Sequence, residues 1–324
     1  MHADGENAEY PHLLECAMSV TAPAPVALFA YNRPVHFARV TQALSANPEA
    51  IATPLYVFSD APKRDADRNG VAEVRARAHA LRGFKSIEII EQRDNQGVAR
   101  SIIDGIARLT AEFGRVIVLE DDLLPSANFL AYTNGGLALY EDVEHVASIA
   151  GFFFPGSAPL PDTFFIRGAD CWGWATWARA WAEFEPSAQK LLNELRFRGL
   201  EHEFDFQGSY PYTQMLEDQI SGKNDSWAIR WYASAFLRNR LTLYPRSSQI
   251  QNIGADGSGV HVGKSDAYHH DLWGTAVSLE PVPIQELAAG RQAFARGLRG
   301  TNMSLGRRVM SRLARLTSHS KRAK

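Results

Sequence analysis

A chain of 324 residues with 45% hydrophobic and 22% charged residues has the composition of a folded protein rather than a disordered one. It is long enough to bury one large core or two smaller ones. The net charge of −2 hides a split: no acid follows Glu286, so the tail carries +10 and the body −12, which excludes nucleic acid as a partner.

No apolar run approaches the roughly 20 residues needed to span a bilayer. The N-terminal stretch MHADGENAEYPHLLECAMSV is acidic and lacks the basic start and apolar core of a secretory signal. Cys16 and Cys171 lie far apart and form no redox or metal motif. The expectation is a cytoplasmic protein.

After an N-terminal extension over 1–24, strand-like runs begin at Val26 (VALFA), Leu55 (LYVF), Ile87 (IEII) and Val116 (VIVL), roughly thirty residues apart. Helical patterns fill the gaps: Val35 to Leu44, opened by Arg33-Pro34, then Asp65 to Leu81, then Val98 to Phe113. That period predicts βαβ units, hence an α/β fold with a mostly parallel sheet flanked by helices. A further helix over Ala127 to Tyr140, capped by Ser126, and a strand VASIA from Val146 complete a nucleotide-binding half over 25–150.

Past Gly151 the composition changes. All seven tryptophans fall between Trp172 and Trp273, in a segment 151–284 with long loop-rich stretches. Trp174, Trp177 and Trp181 have helical spacing and suit a core. Trp172 and Trp227 sit in loop-like or helix-starting contexts where a ring face can stack on a sugar, although packing is the commoner role of a tryptophan. Trp172, Trp174 and Trp227 are the candidate acceptor-binding residues. The basic tail over 285–324 places Leu305, Val309, Leu313 and Leu316 at helical spacing among arginines, a pattern that fits an amphipathic helix on an anionic membrane surface or a solvated terminus.

Chemistry concentrates in Val116-Ile117-Val118-Leu119-Glu120-Asp121-Asp122, where an apolar strand ends in three carboxylic acids. Open α/β sheets hold ligands at the carboxyl ends of their strands. Adjacent acids repel one another unless a cation compensates them, and Mg²⁺ or Mn²⁺ takes one or two carboxylates plus substrate phosphates. The alternative is a solvated loop capping the next helix. Two other loops reach the same sheet edge. Arg33, in Tyr31-Asn32-Arg33-Pro34, can hold a phosphate or pair with an acid. Asp60, in Ser59-Asp60-Ala61-Pro62, can accept from a nucleobase N–H or cap a turn. Asn95, in Arg93-Asp94-Asn95-Gln96-Gly97, precedes a helix whose N-terminus can face an anion.

The order strand–YNRP, strand–SDAP, NQG-helix, strand–EDD, then CWGW and DSW resembles glycosyltransferases of the GT-A fold over roughly 25–275. It is similar to the N-acetylglucosaminyltransferase I type and to bacterial cell-surface polysaccharide glycosyltransferases with an EDD triplet. The resemblance implies a GT-A-like (Rossmann-like) sheet with a Trp-rich acceptor half. It implies Asp122 as direct metal ligand, with Glu120 and Asp121 on the ribose and neighbouring nucleotide groups. Asp60 would read a base, expected to be uracil, and Arg33 would lie near the donor phosphates. Asp225, in Asn224-Asp225-Ser226-Trp227, falls where such enzymes place the catalytic base. This chain has Ser226 directly before Trp227, so Glu217 and Asp218 remain alternatives. His261, in a glycine-rich loop, resembles a late histidine of the bacterial relatives and is a candidate for metal or phosphate contact; His269 and His270 suit the surface.

The implied activity is inverting, Mn²⁺- or Mg²⁺-dependent transfer of a sugar from a UDP-type donor to a glycan or lipid-linked acceptor in cell-surface polysaccharide synthesis. A sugar-phosphate nucleotidyltransferase would carry a glycine-rich basic loop after the first strand, where this chain has YNRP. An inert carbohydrate-binding relative is the non-enzymatic alternative.

Overall fold

The computed structural model describes residues 22–156, 158–254 and 276–301. Four parallel strands are joined by right-handed crossovers: β1 (Val26–Ala30), β2 (Pro54–Ser59), β3 (Ser86–Glu91) and β4 (Arg115–Glu120). Their helices are α1 (Pro34–Ser45), α2 (Arg68–Ala80) and α3 (Val98–Phe113). Every residue of β1 is buried, as expected of a strand flanked on both sides in a covered parallel sheet. In α3, Ala99, Ile102, Ile106 and Leu109 form the buried stripe. Gly114 ends α3 in the left-handed region at φ 74°, its N–H donating to the Thr110 carbonyl.

After β4 come a short strand β5 (Leu123–Pro125), α4 (Phe129–Leu139) and β6 (Val146–Ala150). Ser126 does not cap α4 itself. Its hydroxyl donates to Gln249 and accepts from the Asn128 N–H, and the helix starts at Phe129. Strands β7 (Thr163–Arg167) and β8 (Trp174–Trp177) follow, then α5 (Ala178–Trp181), α6 (Ala188–Phe197), α7 (Glu201–Phe204), α8 (Tyr212–Ile220) and α9 (Trp227–Leu237). The chain returns through β9 (Leu241–Pro245) and β10 (Ile250–Asn252). A last helix, α10, covers 288–301.

The eight-stranded sheet has the order β3-β2-β1-β4-β8-β6-β9-β7 and is mixed, four parallel pairs outnumbering three antiparallel ones. β8 inserts between β4 and β6, so the expected division at residue 150 runs through one continuous sheet. The tryptophans expected at helical spacing lie on β8 and α5, and they are core residues all the same. Trp174 stacks on Trp227 with centroids 5.7 Å apart, and Trp231 lies 5.7 Å from Trp174 and 5.2 Å from Trp181.

The expected tail does not begin at 285. Glu286 bridges to Phe165 on β7, and α10 buries Phe294, Ala295 and Leu298 in the main core. Arg291 is itself buried, pairing with Glu286 at 3.1 Å and donating to the Glu203 carbonyl. Residues 302–324, with most of the expected amphipathic pattern, lie outside the described residues, as do His261, His269, His270 and Trp273. Among the described residues no helix is long and apolar enough to cross a membrane.

Candidate functional site

The first four strands run in the order β3-β2-β1-β4, so the connections from β1 and β4 leave in opposite directions across the sheet. That reversal opens a crevice at the carboxyl ends of these neighbours. Phe29 opposes Glu120 in the register, which puts Tyr31-Asn32-Arg33 beside the acid triplet. Pro34 occupies the first turn of α1 and presets its φ, fixing Arg33 as the residue before the helix.

Asp121 is buried at 3% exposure and turns back onto this loop. Its carboxylate accepts from the Tyr31 N–H at 3.1 Å and from the Arg33 guanidinium. Arg33 also reaches Asp122 at 3.0 Å. Burial alone would lower the Arg33 pKa, but the two carboxylates outweigh it and raise it. Burial pushes the Glu120 carboxyl up to about 8, helped by Asp122 and Asp121. Asp121 is also raised by burial, against the pull of Arg33. One guanidinium thus faces three acids, and Glu120 has no hydrogen-bond partner among the described residues.

Such a cluster lacks positive charge. Among the described residues no three metal-ligating side chains converge. A hard divalent ion asks for less: one or two carboxylates, with water and substrate phosphates completing its shell. The half-buried Asp122 carboxylate, with the unpartnered Glu120 behind it, fits that donor set.

β5 pairs with β10, and the Ile253 N–H donates to the Asp122 carbonyl at 2.8 Å. Gly254 therefore lies against the Asp122 side chain, where an added Cβ would sit 2.3 Å from Oδ2. No motif announces this glycine; the requirement arises from a strand 130 residues downstream in sequence. A Gly254→Ala variant is expected to displace the carboxylate and weaken the binding of a divalent cation titrated into the protein by about 10- to 100-fold, the usual cost of disturbing a ligand's supporting shell. Calorimetric titration checks this, with the melting temperature as control for folding.

Asp60 has a different job from the one expected. It is 8% exposed, and both its oxygens are occupied. Oδ1 accepts from the Ala61 and Gln96 N–H groups at 2.8 and 2.9 Å; Oδ2 accepts from the Gly97 N–H and the Asn95 amide at 2.9 and 3.0 Å. A carboxylate offers about four acceptor sites, so none is left for a nucleobase. Asn95 also donates to the Ala61 carbonyl at 2.7 Å. Asp60 and Asn95 staple the turn before α3 to the end of β2.

Asp225 stands on the surface. Its side chain is 69% exposed, pairs with Arg230 at 3.0 Å and accepts from Gln219. Ser226 caps α9 by accepting from the Ile229 N–H. Glu217 and Asp218 are engaged by Arg196 and Lys223. Of the three expected acceptor tryptophans, Trp174 and Trp227 are 0% and 4% exposed and offer no ring face to a ligand. Trp172 is half-buried, lies edge-on to Phe152 at 4.7 Å and lines a cavity of about 200 Å³.

That cavity contains the residue sequence reasoning missed. Val118 opposes Trp174 across β4 and β8, so the segment just before Trp174 runs past the end of β4, beside the acids. Asp170 lies there. Its Oδ1 accepts from the Cys171 and Trp172 N–H groups at 2.6 and 3.0 Å, and its Oδ2 has no partner among the described residues. Burial raises its carboxyl to about 6. Cys171 sits between it and the triplet, its thiol raised by burial and by the nearby Asp170, Glu120 and Asp122 charges. An aspartate next to CWGW was the available signal.

No family model and no curated protein matches the chain. Solved structures do. A mannosyltransferase, PcManGT from Pyrobaculum calidifontis with GDP-Man and Mn²⁺, is 14% identical over 44% of this chain and 41% of its own, at a TM-score of 0.28. S. aureus TarS 1–349 is 8% identical over 70% of this chain and 59% of its own, at 0.38. Glucosyl-3-phosphoglycerate synthase from Mycobacterium tuberculosis, with Mn²⁺, UDP and glucosyl-3-phosphoglycerate, is 13% identical over 61% and 74%, at 0.32. At such identities and TM-scores these likenesses settle neither a family nor an activity.

Proposed function

We propose that the chain is an inverting glycosyltransferase of GT-A-like architecture that uses a divalent cation and a nucleoside-diphosphate sugar, UDP being the expected nucleotide. The observation that carries this reading is the acid triplet at the crevice between β1 and β4, with Glu120 and Asp121 raised by burial and one guanidinium facing all three acids. A metal bound there would act as a Lewis acid, neutralising charge on the departing diphosphate. Asp122, with Glu120 behind it, is the residue that would hold the cation. Arg33, already bridging Asp121 and Asp122, is placed to pair with a phosphate oxygen once the cation takes Asp122. Asp121 stays on Arg33 and the Tyr31 N–H, orienting the loop that closes the site.

A panel of UDP- and GDP-sugars, each with and without Mn²⁺, tests the reading by thermal shift. Stabilisation by one sugar nucleotide only when Mn²⁺ is present supports it. A nucleotidyltransferase would instead be stabilised by a nucleoside triphosphate, and an inert relative would release no UDP from a labelled donor.

The acceptor is proposed to be a glycan or lipid-linked intermediate met at the cytoplasmic face of a membrane, with the basic tail as contact. Since α10 belongs to the core, the tail available for this is 302–324, which keeps seven basic residues and no acid. Deleting 302–324 is expected to release the protein from anionic vesicles, where each basic residue contributes about 1 kcal/mol, while turnover with soluble acceptors is retained. Vesicle co-sedimentation measures it, and unchanged binding would reject the contact.

A further inference from the structure

The cavity beside the triplet has a composition unlike a packing defect. Its walls are largely aromatic, Phe152, Trp172, Tyr232 and Phe294 of α10 among them. Yet three polar groups in it have no hydrogen-bond partner among the described residues: Asp170 Oδ2 and the hydroxyls of Tyr212 and Tyr244. Tyr244 is 3% exposed. Burial holds both phenols neutral, their pKa values well above the ordinary one, with the Asp170 charge adding to the shift in each. A few polar groups with free hydrogen-bonding capacity converging in an apolar pocket is the usual form of a small-ligand site. Among the described residues no Arg, Lys or His lines the cavity.

We propose that this cavity receives one sugar ring of the acceptor, and that Asp170, in place of Asp225, is the carboxylate that takes the proton of the attacking hydroxyl. The inference rests on the glycosyl-transfer reading and names its acceptor class and base. Aromatic faces suit the C–H face of a pyranose, while the two phenols and one carboxylate satisfy hydroxyls at its edge. The surroundings favour the role. Oδ1 is anchored by two backbone N–H groups, which fixes the carboxylate and leaves Oδ2 to accept. Among the described residues no cation pairs with it, in contrast to Asp225 and its Arg230. In the transfer the acceptor oxygen forms its bond to the anomeric carbon as the carbon–diphosphate bond breaks. The bonding pair leaves on the diphosphate oxygen, and the hydroxyl proton passes to Asp170 Oδ2.

A base must be ionised to act, so turnover should fall as pH drops through the Asp170 pKa, near 6. The titratable groups around it are Cys171, Tyr210, Tyr212, Tyr232 and Tyr244 on the cavity wall, with Glu120 and Asp122 beyond Cys171. The Cys171 thiol and the Tyr212, Tyr232 and Tyr244 phenols, all raised by burial, stay neutral throughout that range.

The test uses full-length wild type, Asp170→Asn, Asp225→Asn and Tyr244→Phe, with methyl glycosides as acceptors and the stabilising nucleotide sugar as donor. Asparagine keeps the Oδ1 contacts, so Asp170→Asn should bind Mn²⁺–UDP within about 2-fold of wild type. Its kcat should fall by about 10²–10⁴-fold, the range for losing a general base, and the acidic limb of its pH profile should disappear. Tyr244→Phe should raise KM for the methyl glycoside and leave donor affinity alone. If Asp170→Asn keeps kcat within about 3-fold, or Asp225→Asn suffers the loss instead, the assignment is overturned while the glycosyltransferase reading stands. If wild type binds no Mn²⁺–UDP at all, the donor reading fails and the acceptor inference falls with it.

Discussion

Asp122→Ala is expected to cost at least ~10³-fold in metal-dependent sugar transfer, corresponding to about 4 kcal/mol of transition-state stabilisation, and to leave the fold intact. The two halves of this expectation have separate causes. Turnover falls because Asp122 is the half-buried carboxylate of the triplet, beside a Glu120 that has no partner among the described residues. The fold survives because the triplet is a local repulsion: the Asp122 charge raises the pKa values of Glu120 and Asp121, and removing it relieves that repulsion. Arg33 keeps Asp121 as partner. The melting temperature without metal should therefore hold or rise. A steep fall in melting temperature would show that Asp122 serves the fold rather than a ligand.

Asp60→Ala should behave in the opposite way. It strands four donors, three of them backbone N–H groups, at a site 8% exposed to solvent. Each orphaned buried donor costs about 1–3 kcal/mol. Partial access of water to the turn keeps the total nearer 4 than 12, still a large share of the 5–15 kcal/mol that holds a typical domain together. Chemical denaturation of Asp60→Ala should show that loss, and Asp60→Asn, which retains one acceptor oxygen, should lose less. If Asp60 read the base instead, both variants would fold as wild type and bind UDP more weakly. Comparing denaturation midpoints with UDP affinities separates the two.

These residues also mark where the sequence was readable. The strands β1 to β4 were legible because a buried parallel strand is a short apolar run, and helices of fixed period separate them. The triplet was legible because three acids ending such a run have few structural excuses. Asp60 was misread because its four partners include the 95–97 turn, some 35 residues away, and occupancy of a carboxylate is a tertiary fact. β8 was misread as helical because Trp174 and Trp177 are three apart, a spacing a helix would give. A four-residue strand buried on both faces shows no alternation to contradict it. Trp174 and Trp227 were assigned to an acceptor on context, but their burial comes from packing on each other. Asp170 escaped notice since its cavity is assembled from β7–β8, α8, α9 and α10, segments spread from 152 to 301.

The tail was legible in charge and illegible in extent. The expected tail over 285–324 took in Phe294 and Leu298. In the structure their apolar face is spent on the core, against Phe153, Phe154 and Tyr244. A hydrophobic stripe specifies that something covers it and leaves open what does.

The most direct test is a crystal structure with Mn²⁺ and UDP bound, read from the anomalous signal of the metal. The account predicts a single peak within about 2.5 Å of an Asp122 oxygen, contacting the diphosphate, with Arg33 turned toward a phosphate. A peak elsewhere, or UDP bound away from the β1–β4 crevice with Arg33 still paired to Asp121 and Asp122, would contradict it.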